Sequence, residues 1–275
     1  TMYWPQGEGD LRMQNPYWIA YRNLRTNNKK RYMLSASLSY DITDWLNVSG
    51  RVRVDNSNTK YEQKLYASSN TTLTEGSTQG FYAIAKPDES QVYADVLANI
   101  NKRFGDYSLV VNVGASIVDN KYDELSYRGP IRDNGIPNVF NVFDLDNTQK
   151  KARQDEWEEQ TQSIFASAEL GWKSMLYLTL TGRNDWASQL ANSSSTCFFY
   201  PSVGLSAIIS EMVKLPSAID YLKVRGSFSS VGMPYPRNLT SPTFEYDETT
   251  QTWKPKTHYP IGDLKPERTN SWELG

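Results

Sequence analysis

The sequence predicts an all-β fold, a segment of an antiparallel transmembrane β-barrel with short turns at one end of its strands and long loops at the other. Three observations carry this prediction. Apolar and polar residues alternate with period two over successive stretches. The connections between those stretches alternate between short turns and long polar segments, and aromatic residues gather beside the short turns.

The first stretch sets Tyr32, Leu34, Ala36, Leu38 and Tyr40 against Met33, Ser35, Ser37 and Ser39. After the turn Asp41 to Asp44, Leu46, Val48, Gly50, Val52 and Val54 oppose Asn47, Ser49, Arg51, Arg53 and Asp55, and the two stretches read as a hairpin. The second hairpin pairs Val92, Ala94, Val96, Ala98 and Ile100 with Leu109, Val111, Val113, Ala115 and Ile117. The third joins Ile164, Ala166, Ala168, Leu170 and Trp172 to Leu176, Leu178, Leu180 and Gly182 through a turn at Lys173 and Ser174. The fourth joins Val203, Leu205, Ala207 and Ile209 to Leu222, Val224, Gly226 and Phe228, with room for one helical turn before Pro216. A ninth strand begins at Asn270 to Gly275.

Between the hairpins lie polar stretches at 56–90, 118–162, 184–199 and 231–266, read here as long loops. Structureless connections of this length are uncommon in a compact soluble domain. A membrane barrel expects them, with short periplasmic turns, long external loops and alternation over about ten positions per strand. Tyr40 and Trp45 bracket the first short turn, Trp172 and Tyr177 the third, and Tyr221 opens the strand after the fourth, where an interfacial girdle would stand. In "LTGRNDWASQL" the alternation is expected to stop near Arg183, with Trp186 at or above the opposite interface. A soluble β-sandwich also alternates. Loop asymmetry and the frequent Ala, Gly and Ser on both faces favour the barrel.

Composition excludes other classes. With 29 Lys plus Arg against 31 Asp plus Glu, the chain offers no basic patch for nucleic acid. A single cysteine, Cys197, permits neither an intramolecular disulfide nor a cysteine metal cluster. No apolar run approaches the roughly 20 residues of a membrane helix, and no signal peptide is legible at the first residues. Catalytic patterns are weak as well. His258 is the only histidine, no G-x-S-x-G occurs, and "DLDN" at 144–147 lacks the glycine and distal glutamate of a calcium loop. The acidic run Asp155, Glu156, Glu158 and Glu159 reads as a solvated segment. The chain is therefore expected to be no enzyme and to hold no cofactor or metal.

Six segments, "NPYWIAYRN" at 15–23, "ITDWLNVSGRVRVD" at 42–55, "LTGRNDWASQL" at 180–190, "FYPSVGLSAIISEM" at 199–212, "LPSAIDYLKVRGSFSSVG" at 215–232 and "LKPERTNSWELG" at 264–275, resemble signatures of the SusC/RagA-like TonB-linked outer-membrane transporters, in the right order. The resemblance implies a 22-stranded barrel, plugged by an N-terminal domain, capped by a SusD-like surface lipoprotein and importing oligosaccharides or peptides with energy delivered through TonB. It makes residues 1–275 a partial barrel domain of eight to nine strands, without the plug, TonB box or signal peptide of a full member. The TonB complex would act through that missing N-terminal part, in the outer membrane of a Gram-negative bacterium, with outer-membrane lipid around the barrel.

In this frame Arg51, Arg53, Asp95, Glu169, Arg183, Lys223 and Arg225 are candidates to face the lumen or plug. Tyr122, Tyr127, Arg128 and Arg132 in one loop, and Tyr246, Trp253, Lys256 and Tyr259 in another, are candidates to meet the lipoprotein or the substrate, since exposed aromatic surface marks interaction sites. Two other readings stay open: a surface-exposed β-rich adhesin or glycan-binding module, and a glycoside hydrolase using Glu156 and Glu159.

Overall fold

The structure is a computed structural model describing residues 15–216, 218–233, 236–247, 249–257, 260–262 and 267–275. A short helix α1 (Pro16–Arg22) leads into β1 (Asn23–Thr43), β2 (Leu46–Tyr66), β3 (Gly80–Phe104), β4 (Tyr107–Pro130), β5 (Lys151–Trp172), β6 (Leu176–Ala187) and β7 (Cys197–Ile208). A single helical turn α2 (Ile209–Met212) precedes β8 (Lys223–Met233), a small hairpin β9 (Phe244–Asp247) and β10 (Thr252–Pro255), and β11 (Glu267–Leu274). β1 to β8 and β11 form one nine-stranded sheet in that order, while β9 and β10 pair separately.

Local chemistry sets the ends. Pro16 opens α1, where its missing N–H costs nothing, and the Asn15 side chain accepts from Tyr17 N at 3.0 Å. Lys173 and Ser174 adopt φ of 50° and 58°, the left-handed pair that suits tight hairpin turns to the twist of the strands.

The chain forms two compact units. One comprises Thr1–Met33, Asp55–Ser90 and Asn120–Glu158; the other comprises Leu34–Val54, Gln91–Asp119 and Glu159–Gly275. The second contains the alternating apolar rows foreseen from the sequence. There, Leu180 pairs with Ala168 and Val203, and Leu178 with Leu170 and Leu205, all on one face. Thr179 pairs with Glu169 and Gly204, and Thr181 with Ser167 and Ser202, on the other. The apolar face stays open, with Leu38 77%, Val113 46%, Leu180 48% and Leu205 51% exposed, as an outer surface meeting lipid requires.

The first unit corrects the sequence reading. Residues 56–66, 80–90, 118–130 and 151–162 belong to strands, so the first two loops shrink to 67–79 and 131–150. Tyr122, Tyr127 and Arg128 consequently stand on β4, not in a loop. The acidic run at 155–159 lies on β5. The reason is physical: the alternate rows of these strand extensions, such as Asn56, Asn58, Lys60, Glu62 and Lys64, are polar on both faces, so no apolar period reveals them. Strands of 21 to 25 residues exceed by about twofold the roughly 9–11 that cross a bilayer.

The two shortened loops share a small core. Leu65, Phe81, Ile131 and Leu145 are almost fully buried, Ile131 bridges to Leu145, and Ser77 Oγ donates to Ile131 O at 2.6 Å. Gly80 closes this packing at φ +120°, where an added Cβ would stand 2.7 Å from the Leu65 carbonyl. Further along, β6 also outruns its expected end. It continues to Ala187, with Arg183 and Asp185 on the polar face and Asn184 and Trp186 on the apolar one. Tyr221 lies outside β8, which starts at Lys223. The helical turn expected before Pro216 is α2.

Candidate functional site

The polar face of the second unit is joined from strand to strand by side-chain bonds. Arg51 on β2 pairs with Asp95 on β3 at 2.7 Å, and Arg51 and Arg53 both lie over the Tyr93 ring, at 5.2 and 5.4 Å from its centroid. Arg53 also donates to Gln91 Oε1 at 3.2 Å, while its Nε is enclosed without an acceptor among the described residues. Asn99 on β3 donates to Asn112 on β4, which donates in turn to Ser167 on β5 at 3.1 Å. Asn99 lies four positions from Asp95 on the same strand, so period two puts both on this face.

From β5 the face continues by register. Glu169 accepts from Thr179 at 3.5 Å, and the hydroxyls of Thr181 and Ser202 meet at 2.5 Å. Arg183 donates to Asp185 at 2.6 Å and to Ser163 at 2.9 Å, and its guanidinium lies over the Phe165 ring at 5.8 Å. The Phe165 ring has space because it lies against Gly114, where a Cβ would stand 2.6 Å away. Lys223 pairs in register with Ile208, and Arg225, opposite Ser206, reaches Glu273 at 2.6 Å. Arg51, Arg53, Asp95, Glu169, Arg183, Lys223 and Arg225 thus share one polar face, spread along it and not converged at one point. The amide and hydroxyl links through Asn99, Asn112 and Ser167 escaped the sequence reading. Their only signal there is an uncharged polar residue at alternate positions of an apolar row.

The second group of candidates divides. Tyr246 and Trp253 are directly opposed on the β9–β10 hairpin, ring centroids 5.4 Å apart and edge to face, and Phe244 pairs with Pro255 on the same side. Trp253 remains 69% and Phe244 64% exposed. Lys254 pairs with Asp247, and that ammonium, helped by the N–H groups of Thr250 and Thr249, holds the Asp247 carboxyl well below the usual range. The segment carrying this hairpin is tied to residues 188–196: Ile261 N bonds Leu239 O, Thr240 Oγ1 bonds Ala191 O at 2.6 Å, and Asn192 Nδ2 bonds Ser241 Oγ at 3.1 Å. Lys256 N adds a bond to Thr243 O at 2.9 Å. Tyr259 and His258 lie outside the described residues.

In the first unit Tyr122 stacks on Trp157, 5.4 Å apart and 10° from parallel. Burial, together with the Glu124 carboxylate that accepts its hydroxyl, pushes Tyr122 up to about 12. Arg132 pairs with Asp144 at 3.0 Å. In "DLDN" the Asp146 carboxylate accepts from Thr148 N at 2.8 Å and Gln149 N at 3.1 Å, so it serves a turn. No grouping of His, Cys, Asp and Glu suited to a metal occurs among the described residues.

A sheet with one open apolar face and one hydrogen-bonded polar face is the wall of a membrane barrel, and the family model for the TonB dependent receptor-like β-barrel matches residues 3–275. The chain belongs to that family. No curated protein matches the sequence. Among solved structures, the RagAB peptide importer in its open-open state superposes at a TM-score of 0.76 with 16% identity, over 96% of this chain and 29% of that one. The RagAB peptide transporter gives 0.77 with 15% identity, over 95% and 29%. The siderophore receptor PiuA from Acinetobacter baumannii gives 0.51 with 14% identity, over 90% and 37%. The chain therefore spans less than a third of the RagAB chains it matches, and these likenesses establish its fold. The expectation of a TonB-linked, SusC/RagA-like outer-membrane barrel segment agrees with them.

Proposed function

We propose that this chain is the wall segment of an outer-membrane importer that takes up oligosaccharides or peptides in partnership with a SusD-like surface lipoprotein and with energy from the TonB complex. The observation that carries the reading is the two-faced wall. An apolar outer face can sit in lipid, while a polar inner face studded with Arg51, Arg53, Asp95, Arg183 and Arg225 can line a hydrated lumen or hold a plug. Nothing in this arrangement requires bond chemistry. The process is transport, and the chain's residues serve it by shaping a path.

RagAB is a peptide importer of the same barrel fold, which supports peptide as the first substrate class to test. The external contact falls to the β9–β10 hairpin, where Tyr246 and Trp253 present apolar area on a backbone already fastened at its base. TonB would engage residues outside this chain.

Two measurements test the proposal. A strain lacking the parent gene should lose growth on peptides or on oligosaccharides as sole nutrient, and normal growth on both removes the importer reading. Trp253→Ala in the intact protein should lower co-purification of the lipoprotein, or uptake, while the barrel still assembles. If both stay at wild-type level, the hairpin has no contact role.

A further inference from the structure

The short-turn ends of β2 to β6 carry a feature that wall-building leaves unused. Trp45, at the start of β2, accepts a backbone bond from Asn101 N at 2.9 Å and has the Lys102 ammonium over its ring at 5.2 Å. Phe104 and Tyr107 stack at 6.0 Å across the β3–β4 turn. Lys173 N bonds Asp106 O at 2.7 Å, and the Lys173 ammonium lies 5.3 Å over the Trp172 ring. Aromatic rings and ammonium groups thus alternate along neighbouring strand ends. Trp45 and Trp172 are 40% and 39% exposed, half in and half out.

We propose that this row binds phospholipid headgroups, with Lys102 over Trp45 and Lys173 over Trp172 each taking a lipid phosphate. Lys102 continues the apolar row Val92 to Ile100 one step past its end, so its stem lies along hydrocarbon and its charge emerges where headgroups begin. No ion pair engages Lys102 among the described residues. The Trp face satisfies one side of the ammonium through cation–π attraction and leaves its remaining N–H donors pointing outward. Lys173 has a carboxylate neighbour, Asp106, but at 3.6 Å with both side chains about half exposed, a loose pair that a phosphate can displace. Within residues 101–107 and 171–177, Lys102, Arg103 and Lys173 stand against Asp106 alone. That excess selects an anionic headgroup, and its place at the end of the apolar rows selects one borne by a membrane lipid.

The proposal rests on the membrane-barrel reading, and the test separates the two. The intact barrel is released into micelles doped with phosphatidylglycerol, phosphatidylcholine or lipopolysaccharide, and bound lipid is counted by native mass spectrometry. Wild type should retain phosphatidylglycerol, and Lys102→Gln should lower its bound fraction about fivefold, the effect of one lysine at a charged bilayer surface. Trp45→Leu should do likewise through the lost ring, Lys102→Gln with Lys173→Gln should lose more, and Lys60→Gln, on the polar extension of β2, should change nothing. A wild type that keeps no lipid of any kind overturns the membrane reading and the proposal together. A wild type that keeps phosphatidylglycerol equally well in all variants, or whose retention falls only for lipopolysaccharide, overturns the proposal alone.

Discussion

Arginine at Leu180 and arginine at Thr179, neighbours on β6, should have opposite fates. Leu180 pairs with Ala168 and Val203, the middle members of the apolar rows Ile164 to Trp172 and Phe199 to Ala207. The apolar face of β6 runs from Leu176, opposite Trp172, to Trp186, opposite Gln162. Ten residues at about 3.4 Å each, tilted by about 40°, span roughly 26 Å along the membrane normal, close to the roughly 25 Å apolar band of such barrels. Leu180 lies near the centre of that span, so Leu180→Arg should cost about 2–4 kcal/mol. Thr179→Arg should cost less than about 1 kcal/mol, because its chain emerges on the polar side, with Gly204 leaving space and the Glu169 carboxylate in reach for a charge pair. Urea titration of the intact barrel in lipid vesicles, followed by tryptophan fluorescence and by the mobility shift of folded barrel on gels, reads both. Equal losses, or a greater loss for Thr179→Arg, would falsify the assignment of faces.

Further expectations follow from other parts of the molecule. In a Cys197→Ser parent, a cysteine at Thr72 should react with an impermeant reagent on intact cells and one at Ser174 should not; labelling at Ser174 would invert the topology. Ile131→Ala, which empties a site 1% exposed between Leu145 and Gly80, should loosen the paired 67–79 and 131–150 loops by about 2–5 kcal/mol. Faster hydrogen exchange confined to those loops is the expected signature, and unchanged exchange would show that their shared core holds nothing. For Asp247, whose folded value is depressed, the contribution of its pairing is fully present above the unfolded carboxylate value of about 3.9 and is lost as pH falls through the lower folded one. Trp253 fluorescence should therefore be steady from pH 7 to pH 5, and a transition in that window that Asp247→Asn abolishes would contradict the assignment.

What the sequence determined by itself was the two-faced wall. Rows such as Val92 to Ile100 and Leu109 to Ile117 announce strands because one face must meet an apolar phase, and a period of two is the only backbone geometry that sorts side chains in that way. The short turns at 41–44 and 173–175, the helical turn before Pro216 and the separation of Arg51, Asp95, Glu169, Arg183 and Arg225 from the apolar rows were legible for the same reason. The extensions of β2 to β5 beyond the apolar band were not. Asn56 to Lys64 and Lys121 to Leu125 lack an apolar row, and their strands are held by backbone pairing to neighbours that only the assembled sheet supplies. Tertiary structure likewise decided that Asn99, Asn112 and Ser167 join hands across three strands and that Tyr246 meets Trp253 across a hairpin. Such pairings depend on register between strands, and register is fixed by the packing of whole faces and by turn geometry, which no single stretch of sequence contains.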